Sequence, residues 1–347
     1  MSKAHSQKSI FVSLVSYCDN ELLPTVRDIF QQAKYPRRLT VGLINQDDPG
    51  QYLDFKSDPV LKKYHKQIIC ENITPEESGG LGVCRSRINT HFYGGQDFYF
   101  QCDPHSRLAE HWDEKFISYY GKPKGKRIIV STPWAYTMDG RRVFKYYVKG
   151  AKRWHDKVVV EAKHNLSLDF NADGLIRTDL FLAGCVFAPA SWLQDVPYDP
   201  KIFMWGEEFD LSCRTFGAGY TAWLVKEPMV WHLWHRQNRK FRGEIREKKR
   251  YEDRDYAGRA HVFKKLLNNE YPHQLQFIKH LGLCPAEMHH AYGALLQSAG
   301  HRVEIKPVRA QALFSKRYST MFKTVAGQVY DVDYHYFCKF PREFEAV

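Results

Sequence analysis

Apolar and polar positions along the first third of the chain switch between two periods. Residues 10–16 (IFVSLVS) form a β-rich apolar run that predicts a buried strand. Leu22, Leu23, Val26, Ile29, Phe30 and Ala33 then recur at helical spacing, with Asp19 placed as the N-cap. Tyr35-Pro36 ends that helix, and residues 39–45 (LTVGLIN) read as the next strand. Strand, helix, strand at this spacing predicts a βαβ unit, hence a parallel sheet covered by helices. Residues 67–72 predict another strand. Ser78, Gly79, Gly80 and Gly82 then open a turn into a helix that carries Arg85 and Arg87 and stops at Gly94-Gly95. In residues 97–107 (DFYFQCDPHSR), Phe98, Phe100 and Cys102 alternate with Tyr99 and Gln101, which predicts a strand. Pro104 has no N–H to give a ladder, so that strand should stop before it.

Further on, residues 180–189 (LFLAGCVFAP) are apolar around Gly184, and residues 204–214 (MWGEEFDLSCR) predict a helix entered at Gly206. Residues 228–236 (PMVWHLWHR) supply His232 and His235, with a strand expected over 229–233. Beyond Arg236 the pattern becomes charged and helical: residues 240–259 read as a solvated helix or linker, and 260–267 and 275–283 as amphipathic. The last forty residues hold Tyr330, Tyr334, Tyr336 and Phe337 but no chemical motif, and no internal repeat is present. The expected fold class is α/β, with a Rossmann-like, mostly parallel central sheet and a helical C-terminal extension. The expected boundaries are a first domain over 1–238 and a mainly helical region over 239–347.

Composition narrows the class. Of 347 residues, 44% are hydrophobic and 15% aromatic, enough to fill a sizeable core. The formal charge of +12 is concentrated. Eleven lysines and arginines against two aspartates put +9 of it into residues 122–157, interleaved with Trp134, Tyr136, Phe144, Tyr146, Tyr147 and Trp154. This basic, aromatic insertion has two readings: a channel for a nucleic-acid backbone with stacked or flipped bases, or an exposed hairpin with solvated lysines. The eight cysteines are scattered with no CxxC pair, which points to reduced thiols and a cytoplasmic location. No stretch approaches the length of a membrane helix, and the N-terminus does not read as a signal peptide.

Candidate chemistry gathers at the strand ends, where open α/β sheets bind ligands. Those ends carry Tyr17 and Asp19, Asn45 to Asp48, and Asp103 to His105. The Asp-x-His triplet can turn a carboxylate and an imidazole toward one divalent cation, a donor set suited to Mn²⁺ or Mg²⁺. A turn aspartate beside a surface histidine is the plainer alternative. The glycine-rich turn is a suitable neighbourhood for a phosphate, with Arg85 or Arg87 pairing with a diphosphate, with Asp103, or with a surface carboxylate. Glu207 and Glu208 stand in a first helical turn, where carboxylates are favoured by the macrodipole; they could also position a hydroxyl or a sugar.

Together these stretches resemble the GT-A glycosyltransferases, in particular the family of cytoplasmic hydroxyproline N-acetylglucosaminyltransferases. The resemblance spans about Ile10 to Arg236 and rests on SYCDNELLPTVRDIF, the arginine helix before FYFQCDPH, LAGCVFAPASWLQDVPYDP, WGEEFDLSCR and VWHLWHR. Polypeptide N-acetylgalactosaminyltransferases share the Asp-x-His and Gly-Glu logic. Pro104 stands where the family usually has Ser. The resemblance implies a UDP-sugar donor bound by Tyr17, Asp19, Asn45, Arg85, Arg87 and Asp103, and a metal held by Asp103, His105 and His232. It also implies retention of anomeric configuration, with Glu207 and Glu208 orienting acceptor and donor beside Asp103 as the catalytic set. The acceptor expected is a macromolecule: a hydroxymethylated base in DNA, from the basic aromatic segment, or a protein hydroxyl such as hydroxyproline, from family precedent. A nucleic-acid-binding protein that keeps the fold without the chemistry is the reading from a different class.

Overall fold

The computed structural model describes residues 8–131, 171–178, 183–204 and 206–233, Phe181, the backbone of three strands between 134 and 164, and scattered positions from 254 to 277. The stretch begins with β1 (Ile10–Tyr17), α1 (Leu22–Gln32), β2 (Leu39–Gln46), β3 (Ile68–Ile73), α2 (Leu81–His91) and β4 (Phe98–Cys102). These match the expected run of strands and helices to within a residue or two. Next come β5 (Ser106–Leu108), α3 (Trp112–Gly121), β6 (Arg127–Val130), β7 (Trp134–Ala135), β8 (Tyr146–Trp154) and β9 (Lys157–His164). The remainder is β10 (Leu175–Thr178), β11 (Cys185–Pro189), α4 (Trp192–Asp195), α5 (Glu207–Gly217), β12 (Thr221–Val225) and β13 (Val230–His232).

Eight strands form one sheet in the order β10-β12-β6-β11-β4-β1-β2-β3. The run β4-β1-β2-β3 is parallel, β6 and β12 are parallel to each other, and β11 lies antiparallel between β4 and β6. The sheet is therefore mostly parallel, as expected. Alternation within β1 explains how it is covered on both faces. Ile10, Val12 and Leu14 join one core with α1, α3 and Phe100, while Phe11 and Val15 join a second with α2, α4 and Tyr99. Every residue of β4 is buried, so its alternation sorts residues between two cores rather than between core and solvent. Phe100 packs against Trp112 at 4.6 Å between ring centroids, and truncating it to Ala should cost about 3–5 kcal/mol.

Two smaller sheets complete the described strands. In the order β5-β13-β7, β13 runs antiparallel to β5, placing His232 opposite Ser106. β8 and β9 form a separate antiparallel pair, with Trp154 opposite Lys157 and Tyr146 opposite His164. The basic segment 122–157 is thus divided. Its front belongs to the main sheet through β6, where Arg127 donates to Tyr120 O at 2.5 Å and stacks over that ring. Lys126 pairs with Asp195 at 3.1 Å, and Lys122 donates to Asp173 O. Trp205, His235, most of residues 240–283 and the C-terminal tyrosines fall outside the described residues.

Candidate metal centre

β4 and β13 end side by side, and their ends carry the three expected ligands. His232 Nε2 stands 3.0 Å from Asp103 Oδ2 and 2.8 Å from His105 Nε2. One ligand atom from each of the three lies within 4.8 Å of the others. Neighbouring ligands of an octahedral ion with bonds of about 2.1 Å are separated by roughly 3.0 Å, so this spacing fits a divalent cation. The His232 side chain is 7% exposed and that of Asp103 34%, which puts the imidazole inside and the carboxylate at the mouth. Desolvation on its packed side opposes ionisation of Asp103, but the His232 hydrogen bond and the nearby Arg85 guanidinium help to outweigh it and hold the carboxyl well below its usual range. Two imidazoles and one carboxylate form a mixed nitrogen and oxygen donor set for a divalent cation.

The other expected residues have diverse placements. Asp19 is buried and does not cap α1 as an N-cap would; the helix starts after Glu21, whose N–H goes to Asp19 Oδ1. Its other oxygen accepts from His105 Nδ1 at 2.9 Å. Asn45, also buried, donates to Asn72 Oδ1 at 3.1 Å across the ends of β2 and β3, and Tyr17 is half-buried at the end of β1. Arg85 is buried under the sheet ends and donates to the carbonyls of Ser13 and, at 3.1 Å, of Cys102, the residue before Asp103. Arg87 points elsewhere, pairing with Glu71 of β3.

The glycine-rich turn has a packing explanation that the sequence did not reveal. A Cβ on Gly82 would lie 2.2 Å from Ile202 O and 2.6 Å from Asp199 O, so the start of α2 is seated directly on the 199–203 backbone. The first N–H of the helix, from Leu81, is donated to Phe203 O at 2.6 Å. At least that donor is turned to the protein rather than to a phosphate.

α5 begins at Gly206, whose φ of 99° is a left-handed conformation that glycine adopts readily. The two glutamates that follow part company. Glu208 Oε1 accepts the Ala183 N–H at 2.7 Å and holds the chain that leads into β11. Glu207 Oε2 is buried with no hydrogen-bond partner among the described residues. Burial and the charges of Glu208 and Asp103 push its carboxyl well above the ordinary value, against the pull of Arg85. A buried carboxyl oxygen without a partner is costly, and a hydroxyl arriving there would satisfy it.

A mostly parallel sheet with this polar cluster at its strand ends is the architecture of GT-A glycosyltransferases. S. aureus TarS 1-349 is similar to this chain with a TM-score of 0.50 and 9% identity, over 84% of this chain and 72% of that one. The same protein in complex with UDP-GlcNAc is similar with a TM-score of 0.49 and 11% identity, over 84% and 73%. GalNAc-T7 with UDP, GalNAc and Mn²⁺ is similar with a TM-score of 0.49 and 17% identity; the match covers 66% of this chain and only 44% of GalNAc-T7. At 9% identity the likeness to TarS 1-349 is one of fold. The profile of the family described as Glycosyltransferase (GlcNAc) matches residues 9–52 and 53–276, well over half the sequence, and the chain belongs to that family. A search of curated proteins finds no match.

Proposed function

We propose that this protein transfers a sugar from a UDP-linked donor to a hydroxyl of a macromolecule, using a divalent cation held by Asp103, His105 and His232. The observation that carries the reading is the convergence of those three side chains at the ends of β4 and β13. A cation bound there supplies Lewis-acid stabilisation to the diphosphate leaving group. Buried Arg85 reinforces the same end of the sheet through Cys102 O and its charge on Asp103. Glu207 is assigned to orient a hydroxyl of donor or acceptor, whereas Glu208 keeps the Ala183 turn in place. Retention of configuration is carried over from the resemblance to hydroxyproline N-acetylglucosaminyltransferases, and the family description suggests N-acetylglucosamine as the sugar.

The acceptor we favour is a hydroxymethylated base in DNA, because +9 of the +12 net charge falls in residues 122–157 among six aromatic residues. A protein hydroxyl such as hydroxyproline is the second reading, supported by the family motifs. No helix among the described residues is long and apolar enough to cross a membrane, and none of the six described cysteines is in a disulfide. Thiols outside disulfides accord with the cytoplasmic setting proposed from the scattered cysteines. The test is incubation with Mn²⁺, UDP-sugars and two acceptor pools, hydroxymethylated DNA and hydroxyproline peptide, read by mass spectrometry. A sugar mass on DNA supports the favoured acceptor, and addition to peptide alone selects the second. DNA binding with neither transfer nor UDP release would make the protein a non-catalytic nucleic-acid binder.

A further inference from the structure

His105 faces the metal centre with Nε2 and is held from behind by Nδ1. The Nδ1 lies 2.9 Å from Asp19 Oδ2, with the Asp19 side chain 2% exposed and the His105 side chain 12%. With Nδ1–H directed at that carboxylate oxygen, Nε2 keeps the lone pair that a cation requires. Asp19 is itself fixed. Cys18 before it has a φ of 47°, an uncommon left-handed conformation for a side chain with a Cβ, and donates its N–H to Gln46 O at 2.9 Å. That turn brings Asp19 back over the end of β4, where Oδ1 accepts the Glu21 N–H at 3.0 Å.

The rest of α1 holds the ligand loop by its backbone. Fully buried Thr25 has its hydroxyl 2.7 Å from Pro104 O and accepts the Ser106 N–H at 3.1 Å. Arg107 bridges Glu21 and Ser106 O at 2.5 and 2.8 Å, and the Leu108 N–H reaches Asp28 Oδ2 at 2.6 Å. Within this set, Asp19 is the side chain that touches a ligand's ring.

We infer that Asp19 is a positioning residue of the metal centre, fixing the tautomer and aim of His105. The inference rests on the Asp103–His105–His232 reading. It adds a contact with the protein's own imidazole to the donor contact expected of Asp19 from sequence.

The experiment is a titration of the metal-free full chain with Mn²⁺, followed by the electron paramagnetic resonance of free Mn²⁺, on wild type and Asp19→Asn, with circular dichroism confirming that each is folded. The variant should bind Mn²⁺ about 10- to 100-fold more weakly. Equal affinities, with wild type binding, would overturn the role of Asp19 alone. A wild type that does not bind Mn²⁺ would overturn the metal-centre reading and this inference with it. A second measurement needs no variant: long-range ¹H–¹⁵N spectra of the metal-free wild type should show His105 protonated at Nδ1, and an Nε2–H tautomer would contradict the assignment.

Discussion

Glu207 and Glu208 are adjacent in sequence and opposite in circumstance, and the difference sets what each substitution should do. Glu208 has a backbone N–H to hold, so Glu208→Ala should lower stability by about 1–3 kcal/mol by leaving the Ala183 donor unsatisfied. Glu207 has a buried oxygen with no partner among the described residues and a carboxyl pushed up by burial and by the Glu208 and Asp103 charges. Glu207→Gln should therefore leave the melting temperature unchanged or raise it while transfer falls at least tenfold, the pattern of a site held at some cost to stability. A thermal melt alongside a turnover assay checks both halves; a destabilised variant of normal activity would contradict the assignment. The sequence singled out this pair as candidates and could not separate their roles, because Ala183, whose N–H Glu208 accepts, and Asp103, whose charge acts on Glu207, are distant in the chain.

At the scale of elements, the site depends on how α1, α2 and the intervening loop are fixed to the sheet. Asp58 accepts four hydrogen bonds, from Arg27 Nε and Nη2 and from the Val60 and Leu61 N–H groups, and so holds the loop after β2 against α1. Burial alone would raise its carboxyl, but Arg27 and the two amides outweigh burial and hold it below the ordinary value. A depressed folded value contributes stability above about pH 4 that is lost as the pH falls through it. The gap in melting temperature between wild type and Asp58→Asn should thus be full near pH 7 and shrink as the pH drops below about 4. A gap independent of pH would contradict the role of its charge. Gly82→Ala should be strongly destabilising, since its Cβ would overlap two carbonyl oxygens of the 199–203 stretch. β1, α1, β2 and β4 were legible because each hydrophobic period is long and its breaker clear. The packing of the glycine turn was not legible, because glycine that clears a neighbouring backbone and glycine that exposes N–H groups to a phosphate look the same in sequence. Thr25 was legible only as a helical residue; its grip on Pro104 and Ser106 spans 79 and 81 residues.

For the whole molecule, the expected boundary at residue 238 is crossed by close contacts. Asp210 of α5, fully buried, accepts from Lys265 Nζ at 2.6 Å and Tyr271 OH at 2.7 Å, and also pairs with Arg214. Arg254 donates to Ser78 O at 2.6 Å, beside the start of α2. A chain stopped at residue 238 should fold less stably and lose transfer, because Asp210 keeps a buried charge with fewer partners on the helix that begins at Glu207. The basic segment makes a separate prediction: binding to DNA should weaken steeply with salt, each phosphate contact adding about 0.9 to the log–log slope. A flat response would contradict the DNA reading. Charge concentration was visible in sequence, but not that Lys122, Lys126 and Arg127 are engaged by the main domain. The cluster of Asp103, His105 and His232 was legible in type and order. Its closure depended on the β5–β13 pairing that sets His232 opposite Ser106, a register no local pattern encodes. The most direct test of the account is sugar transfer from a UDP-sugar by wild type and by Asp103→Ala, each with Mn²⁺ and with EDTA. The account predicts transfer only for wild type with Mn²⁺, with the variant still folded; undiminished transfer in EDTA, or by Asp103→Ala, would contradict it.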